Sequence, residues 1–156
     1  MEGVTRLGGN FPLLEVDYDQ PIEDMIKAAG FTKFPEKIPQ EYFQSDRKKG
    51  KKKVHFLIFY ITDEASTTTI LKELKKEKIG LRPATLIELV TFAAKYKEFH
   101  ETYMLFALGS AFDKDGKRLM ADVHKWYNSI WALSIMSHAD DMEWTHVCLF
   151  LIVREH

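Results

Sequence analysis

Residues 54–61, VHFLIFYI, are the stretch that decides the fold of this chain. Apolar residues occupy successive positions of the run, and aromatic and β-branched side chains, which favour strands, dominate it. A strand with apolar residues at both its odd and its even positions buries both of its faces, so we predict a central strand here. The basic run 47–53, RKKGKKK, leads directly into it, and charged residues beside such a strand discourage aggregation.

Three segments with helical spacing flank the predicted strand. Residues 21–29 begin with a proline, which a first helical turn tolerates, and carry apolar residues three and four positions apart. Residues 66–78 combine an apolar inner face with a charged outer face. A third helix is predicted to follow Thr85, because Thr85-x-x-Glu88 is a capping box that satisfies free N–H groups of the first turn.

The pattern changes after the third helix. Residues 103–108, 131–135 and 147–153 have the composition of strands, and Asp115-Gly116 is a turn signal. Helices and one strand therefore come first and a strand- and loop-rich region follows, which favours an α+β fold over alternating α/β. We predict helices packed on a small, mostly antiparallel sheet, with a loop-rich C-terminal third.

Length and composition bound the class of protein. The chain has 156 residues, 46% hydrophobic and 29% charged with a net charge of −1, so we predict one domain over 1–156 with a frayed start at 1–12. Cys148 is the single cysteine, so the fold does not depend on a disulfide. Residues 1–10 show no secretory signal, and the apolar stretches are far shorter than the roughly 20 residues that span a bilayer. A cytoplasmic location is the default expectation, with export by another route left open.

The polar segment 138–146 has the composition of a metal site, since it holds two imidazoles and three carboxylates. One hypothesis is therefore a metal-dependent hydrolase. Glu143-x-x-His146 has the spacing of carboxylate-bridged di-iron bundles, but those sites need two such motifs on facing helices. We prefer a solvated polar loop and expect no metal or other cofactor. The metal hypothesis would use His138, Asp140, Asp141, Glu143 and His146.

Nucleophilic catalysis is not predicted. Cys148 lies inside an apolar strand, where we expect a buried and inert thiol. The sequence contains no Gly-x-Ser-x-Gly elbow and no glycine-rich phosphate loop outside the chain terminus. We therefore predict a protein that is not an enzyme.

The basic run 47–53 supports an alternative function, a nucleic-acid-associated protein that contacts phosphates. Surfaces of that kind usually stack bases on aromatic rings, and no aromatic residue interleaves with this run. A solvated loop before the apolar strand is the preferred interpretation. Steeply salt-dependent binding that vanishes when the lysines are neutralised would favour the alternative.

The last third of the chain has the composition of a binding surface. Residues 126–131, WYNSIW, hold three aromatic rings, an asparagine and a serine. Tryptophan and tyrosine supply contact area at low entropy cost, and short polar residues supply adaptable hydrogen bonds. We expect Trp131 and Trp144 to be structural and the short polar residues between them to be exposed. The candidate ligand-binding residues are Tyr127, Asn128, Ser134, Met136, Ser137, His138, Asp140, Asp141, Thr145 and His146.

Several motifs resemble those of a group of small bacterial proteins. They are GLRPAT at 80–85, FALGS at 106–110 and the closing segment that begins at Trp144 and includes CLFLIVR at 148–154. The order of these motifs also resembles that of the variable target proteins of diversity-generating retroelements. The resemblance implies a C-type-lectin-like fold that binds a protein or other macromolecular ligand without catalysis, with its variable residues inside 123–149.

Two departures from the group fall in the region that the resemblance marks as variable. The group often has Val-Pro where this chain has ADVH at 121–124, and an arginine where this chain has Leu149. They leave the implied fold unchanged but weaken any inference of a shared ligand. Related sulfatase-modifying enzymes of this fold need a pair of reactive cysteines, whereas this chain has Cys148 alone.

Overall fold

Three helices and ten strands form within the part of the chain that the computed structural model describes. The described residues are 5–38, 49–77, 80–98, 101, 103–109, 115–126, 130–138, 143–145 and 148–155. The helices are α1 (Ile22–Ala28), α2 (Thr67–Glu77) and α3 (Leu86–Lys95). The strands are β1 (Thr5–Gly8), β2 (Leu14–Asp17), β3 (Lys51–Ile61), β4 (Ala65–Ser66), β5 (Leu81–Pro83), β6 (Met104–Ala107), β7 (Arg118–Trp126), β8 (Ile130–His138), β9 (Glu143–Trp144) and β10 (Cys148–Arg154).

Eight of the described strands form one sheet. Six of them lie side by side in the order β1-β3-β10-β6-β7-β8, and β2 and β5 pair with members of this row. The strand β2 pairs with the beginning of β3, and β5 pairs with the end of β10. Among the described strand pairs, only β6–β10 is parallel, and an isolated parallel bridge also joins Lys33 to Ala132 of β8. A separate two-stranded ribbon joins β4 to β9. The α+β prediction and the mostly antiparallel sheet are confirmed, although the sheet is larger than we expected.

The central strand β3 is buried on both faces, as its sequence predicts. Val54, Phe56 and Ile58 point to one face, which we call face A, where they pack with α1 and α3. Leu57 and Phe59 point to the opposite face, face B, where α2 and the β4–β9 ribbon cover them. The side chains of the neighbouring strand β10 also alternate between the two faces. A separate hydrophobic core therefore lies on each face of the middle of the sheet.

All three predicted helices are confirmed, and the capping box of α3 forms as expected. The Thr85 hydroxyl accepts the Glu88 backbone N–H at 3.4 Å, and the Glu88 carboxylate accepts the Thr85 backbone N–H at 2.9 Å. Glu88 also accepts two hydrogen bonds from Arg82 and one from Tyr18, at 2.5–2.8 Å. One carboxylate therefore begins the helix and ties it to β5 and to the segment after β2.

The expectation of a loop-rich C-terminal third is wrong. The strands β7 and β8 are nine residues each and pair along their whole length. No strand was predicted over Arg118–Trp126, because Asp122, His124 and Lys125 interrupt its apolar pattern. The strand forms because β6 and β8 hydrogen-bond to its two edges, which a local pattern does not reveal.

Two further expectations need correction near β3. A frayed terminus was expected over 1–12, but Thr5–Gly8 pairs with residues 58–61 of β3. The basic run was interpreted as a loop, but β3 already begins at Lys51, and residues 51–54 pair with β2. Residues 47 and 48 of that run lie outside the described residues.

No helix in the described part of the chain is long and apolar enough to cross a membrane. The longest, α2, has 11 residues, whereas a span needs roughly 20.

Candidate functional site

The hairpin of β7 and β8 carries four of the predicted ligand-binding positions. The register places Ser134 opposite Asp122, and Met136 opposite Met120, so both candidates lie on face B. Ser137 is the next residue along β8 and therefore points to face A. His138 ends the strand opposite Arg118. The structure thus divides a set that the sequence analysis treated as one surface.

The other predicted residues are described in part or not at all. Thr145 is exposed, and its carbonyl accepts the Cys148 backbone N–H at 3.0 Å. Tyr127, Asn128, Asp140, Asp141 and His146 lie outside the described residues.

The metal hypothesis shares most of these undescribed positions. Of its five residues, Glu143 is described with its side chain, and it is exposed in β9 opposite Ser66. Across the described parts of the chain, no three His, Cys, Asp or Glu side chains are grouped to hold a metal ion.

A buried acid–imidazole pair that was not predicted lies on the same face. Asp122 is 1% exposed in β7, between Phe106 on β6 and Ser134 on β8. Its Oδ2 lies 2.7 Å from Nδ1 of His124, two residues along the strand on the same face. The signal was present in the sequence, because polar residues at i and i+2 of a strand share one face.

One oxygen of this carboxylate has no hydrogen-bond partner among the described residues. Oδ1 of Asp122 is buried and accepts no hydrogen bond from any described residue. Leaving a buried acceptor unsatisfied costs about 1–3 kcal/mol, and more when the group is charged. In a native structure, a buried oxygen of this kind is usually explained by stored strain, by a catalytic role, or by a bound water or ion.

The charge of Asp122 also affects the pKa of Cys148 on β10. Burial raises the pKa of Asp122, and the attraction of His124 opposes this rise only in part. Burial also raises the pKa of the Cys148 thiol, the negative charge of Asp122 adds to this, and hydrogen bonds with Thr145 oppose it. The raised pKa favours the protonated form of the thiol. The predicted burial of Cys148 is confirmed.

An aromatic cluster supports face B beside the pair. The ring of Trp144 lies 4.6 Å from that of Phe106 and 5.3 Å from that of Phe150, between centroids. Its indole N–H donates to the Thr67 hydroxyl at 2.7 Å, which connects β9 to the first turn of α2. Trp144 is 3% exposed, so its predicted structural role is confirmed. Trp131 is half-buried against the face A core.

We call Asp122, His124, Ser134 and Met136 the hairpin site. A ligand on face B would meet a serine hydroxyl, a methionine side chain that is 39% exposed, and the edge of an imidazole. All four residues stand on paired strands, so their positions are fixed before a ligand arrives. Such a surface can recognise a partner through one apolar contact and a few directed hydrogen bonds.

Comparison with protein-family models, with curated proteins and with solved structures finds no match to this chain.

Proposed function

We propose that this chain is a non-enzymatic ligand-binding protein that binds a macromolecular ligand on face B of the β7–β8 hairpin. The observation that carries the proposal is the buried Asp122 carboxylate, with one oxygen unpartnered among the described residues, directly opposite a predicted binding residue, Ser134. His124 is 13% exposed and is the part of the pair that a ligand would reach first.

We further propose that the protein is a variable protein of a diversity-generating retroelement with a C-type-lectin-like fold. The motif order supports this reading, and so does an α+β architecture whose helices pack on a mostly antiparallel sheet. Exposed strand positions can change their side chains without loss of the core. Met136 and Ser137 are exposed and Ser134 is partly exposed, whereas Leu149 is 3% exposed and is unsuited to a variable position.

The state of Cys148 supports binding without thiol catalysis. A nucleophilic cysteine needs a lowered pKa and access to its substrate. Here the pKa of the thiol is raised, and the side chain lies in the face B core.

Sequencing the gene across its source population, together with any adenine-rich template copy nearby, tests the diversification. We expect changes within codons 123–149, at exposed positions such as 134, 136 and 137, that match template adenines. Changes at the buried positions 122 and 133 are expected to be rare. A uniform gene without a template would overturn diversification and leave the hairpin site to be tested by binding.

A pair of adjacent alanine variants tests whether β8 tolerates the variation. Ser134→Ala should change the free energy of unfolding by less than about 0.5 kcal/mol, because the side chain is partly exposed on the edge strand. Leu133→Ala should cost about 2–5 kcal/mol, because Leu133 is 2% exposed in the face A core. Urea denaturation measures both, and equal large losses would show that Ser134 is a core position.

A further inference from the structure

The end of the basic run lines a cavity far from the hairpin site. Lys52 and Lys53 stand at the beginning of β3, and Arg154 stands at the end of β10. These two strands are antiparallel neighbours, so the three cationic residues lie at one end of the sheet, with Lys53 and Arg154 on face B and Lys52 on face A. They line a cavity of about 330 Å³, and the strands β10 and β6 separate its β3 side from the β7–β8 hairpin.

The three cations are not neutralised within the described structure. None of Lys52, Lys53 and Arg154 forms an ion pair with another described residue, although Glu15 is the cross-strand neighbour of Lys53. Glu155 also lines the cavity, and its carboxylate accepts a hydrogen bond from Arg82. The cavity therefore keeps an excess of positive charge.

The remaining walls are suited to the uncharged part of a ligand. Val54, Val153 and Tyr18 also line the cavity, although each is only 2–7% exposed, and the Tyr18 hydroxyl donates to Glu88 at 2.5 Å. Small-molecule sites commonly combine a few polar groups with apolar walls and begin at about 300 Å³. This volume fits a small molecule and is too small for a folded partner.

We propose that this cavity binds the phosphate group of a small phosphorylated molecule. Arg154 offers a planar fork that can donate two parallel hydrogen bonds to phosphate oxygens, and the two lysines add point charges. A phosphate monoester carries about −1.5 to −2 charges at pH 7. Lys53 and Arg154 on face B can balance two charges, whereas a single carboxylate would need only one of these cations. The proposal is independent of the hairpin site.

A rigid network holds one wall of the cavity in place. Arg82 donates to Glu88 at 2.7 and 2.8 Å and also to Glu155, while Tyr18 donates to Glu88. Burial alone would raise the pKa of Glu88, but the hydrogen bonds and charge of Arg82 outweigh it and hold that pKa below its usual value. The carboxylate is therefore ionised and committed to this network, so Tyr18 and Glu155 are positioned before a ligand binds.

Calorimetric titration of the full chain with inorganic phosphate and pyrophosphate, at low ionic strength, tests the proposal. We expect saturable binding of one anion per chain. Lys53→Gln and Arg154→Gln should each weaken it by about ten-fold, the effect of losing one charge-assisted hydrogen bond, and Lys52→Gln should weaken it less, because its side chain starts from the opposite face. Lys75→Gln on α2 is the matched control, because it removes the same charge from an exposed lysine away from the cavity and should leave binding unchanged.

Three outcomes would overturn the proposal. The first is an absence of saturable binding, and the second is an equal loss in Lys75→Gln, which would indicate a general charge effect. The third is binding of a single-stranded oligonucleotide alone, with steep salt dependence, which would indicate a nucleic-acid surface. Circular dichroism of each variant checks folding, and if Arg154→Gln unfolds, the two exposed lysine variants decide the result.

Discussion

Replacing Asp122 with asparagine tests the electrostatics of the hairpin site most directly. Asparagine has nearly the same shape and keeps an acceptor for Nδ1 of His124, but it removes the charge from a side chain that is 1% exposed. The wild-type carboxylate leaves one oxygen unsatisfied among the described residues. A buried unsatisfied group costs about 1–3 kcal/mol and more when charged, so we expect Asp122→Asn to gain on the order of 1 kcal/mol at pH 7.

The sign of the pH dependence follows from the raised pKa of Asp122. In the range between the ordinary value of 3.8 and the higher folded value, the folded state binds more protons than the unfolded state. The stability from Asp122 is therefore complete below pH 3.8 and is lost as the pH rises through the folded value. The variant should match the wild type in acid and become the more stable protein as the pH rises.

Thermal unfolding at several pH values between 4 and 8 measures this difference. For a chain of this size, 1 kcal/mol corresponds to a shift in Tm of about 2–4 °C. Asp19→Asn is the control, because Asp19 is exposed and should show no such gain. A gap between wild type and Asp122→Asn that stays constant with pH, or a wild type that gains on the variant as the pH rises, would refute the reasoning.

Three further predictions concern buried groups. Replacing His124 with glutamine should lower the free energy of unfolding by about 1–3 kcal/mol at pH 7, because it weakens the hydrogen bond to Oδ2 of Asp122. In urea denaturation, the double variant with Asp122→Asn should lose less stability than the sum of the two single changes. Cys148 should react with a thiol reagent much more slowly in the native protein than in urea, because burial raises its pKa; equal rates would show an accessible thiol. Glu88→Ala should lower the free energy of unfolding by about 3 kcal/mol or more, since it leaves the partly buried Arg82 charge and the Tyr18 hydroxyl without this acceptor. Glu88→Gln should lower it less. Chemical denaturation compares the two variants, and an alanine variant as stable as the wild type would contradict the assigned network.

Local patterns in the sequence determined which segments form the three helices and the two central strands of this protein. The apolar runs that form β3 and β10, the spacing of the three helices and the Thr85–Glu88 capping box depend on residues close together in the chain. Burial of Cys148 and Trp144 was predictable for the same reason, since an apolar strand surrounds the first and a large ring favours a core position in a small domain.

The tertiary structure alone decided where polar residues meet. Asp122 becomes buried because β6 and β8 pair with both edges of β7, and no local pattern in β7 reveals those neighbours. The register then places Ser134 beside Asp122 on face B and turns Ser137 to face A, since a shift of one residue would reverse both. The cavity at the other end of the sheet likewise needs the antiparallel pairing of β3 with β10, which brings Lys52 and Lys53 near Arg154 from distant parts of the chain.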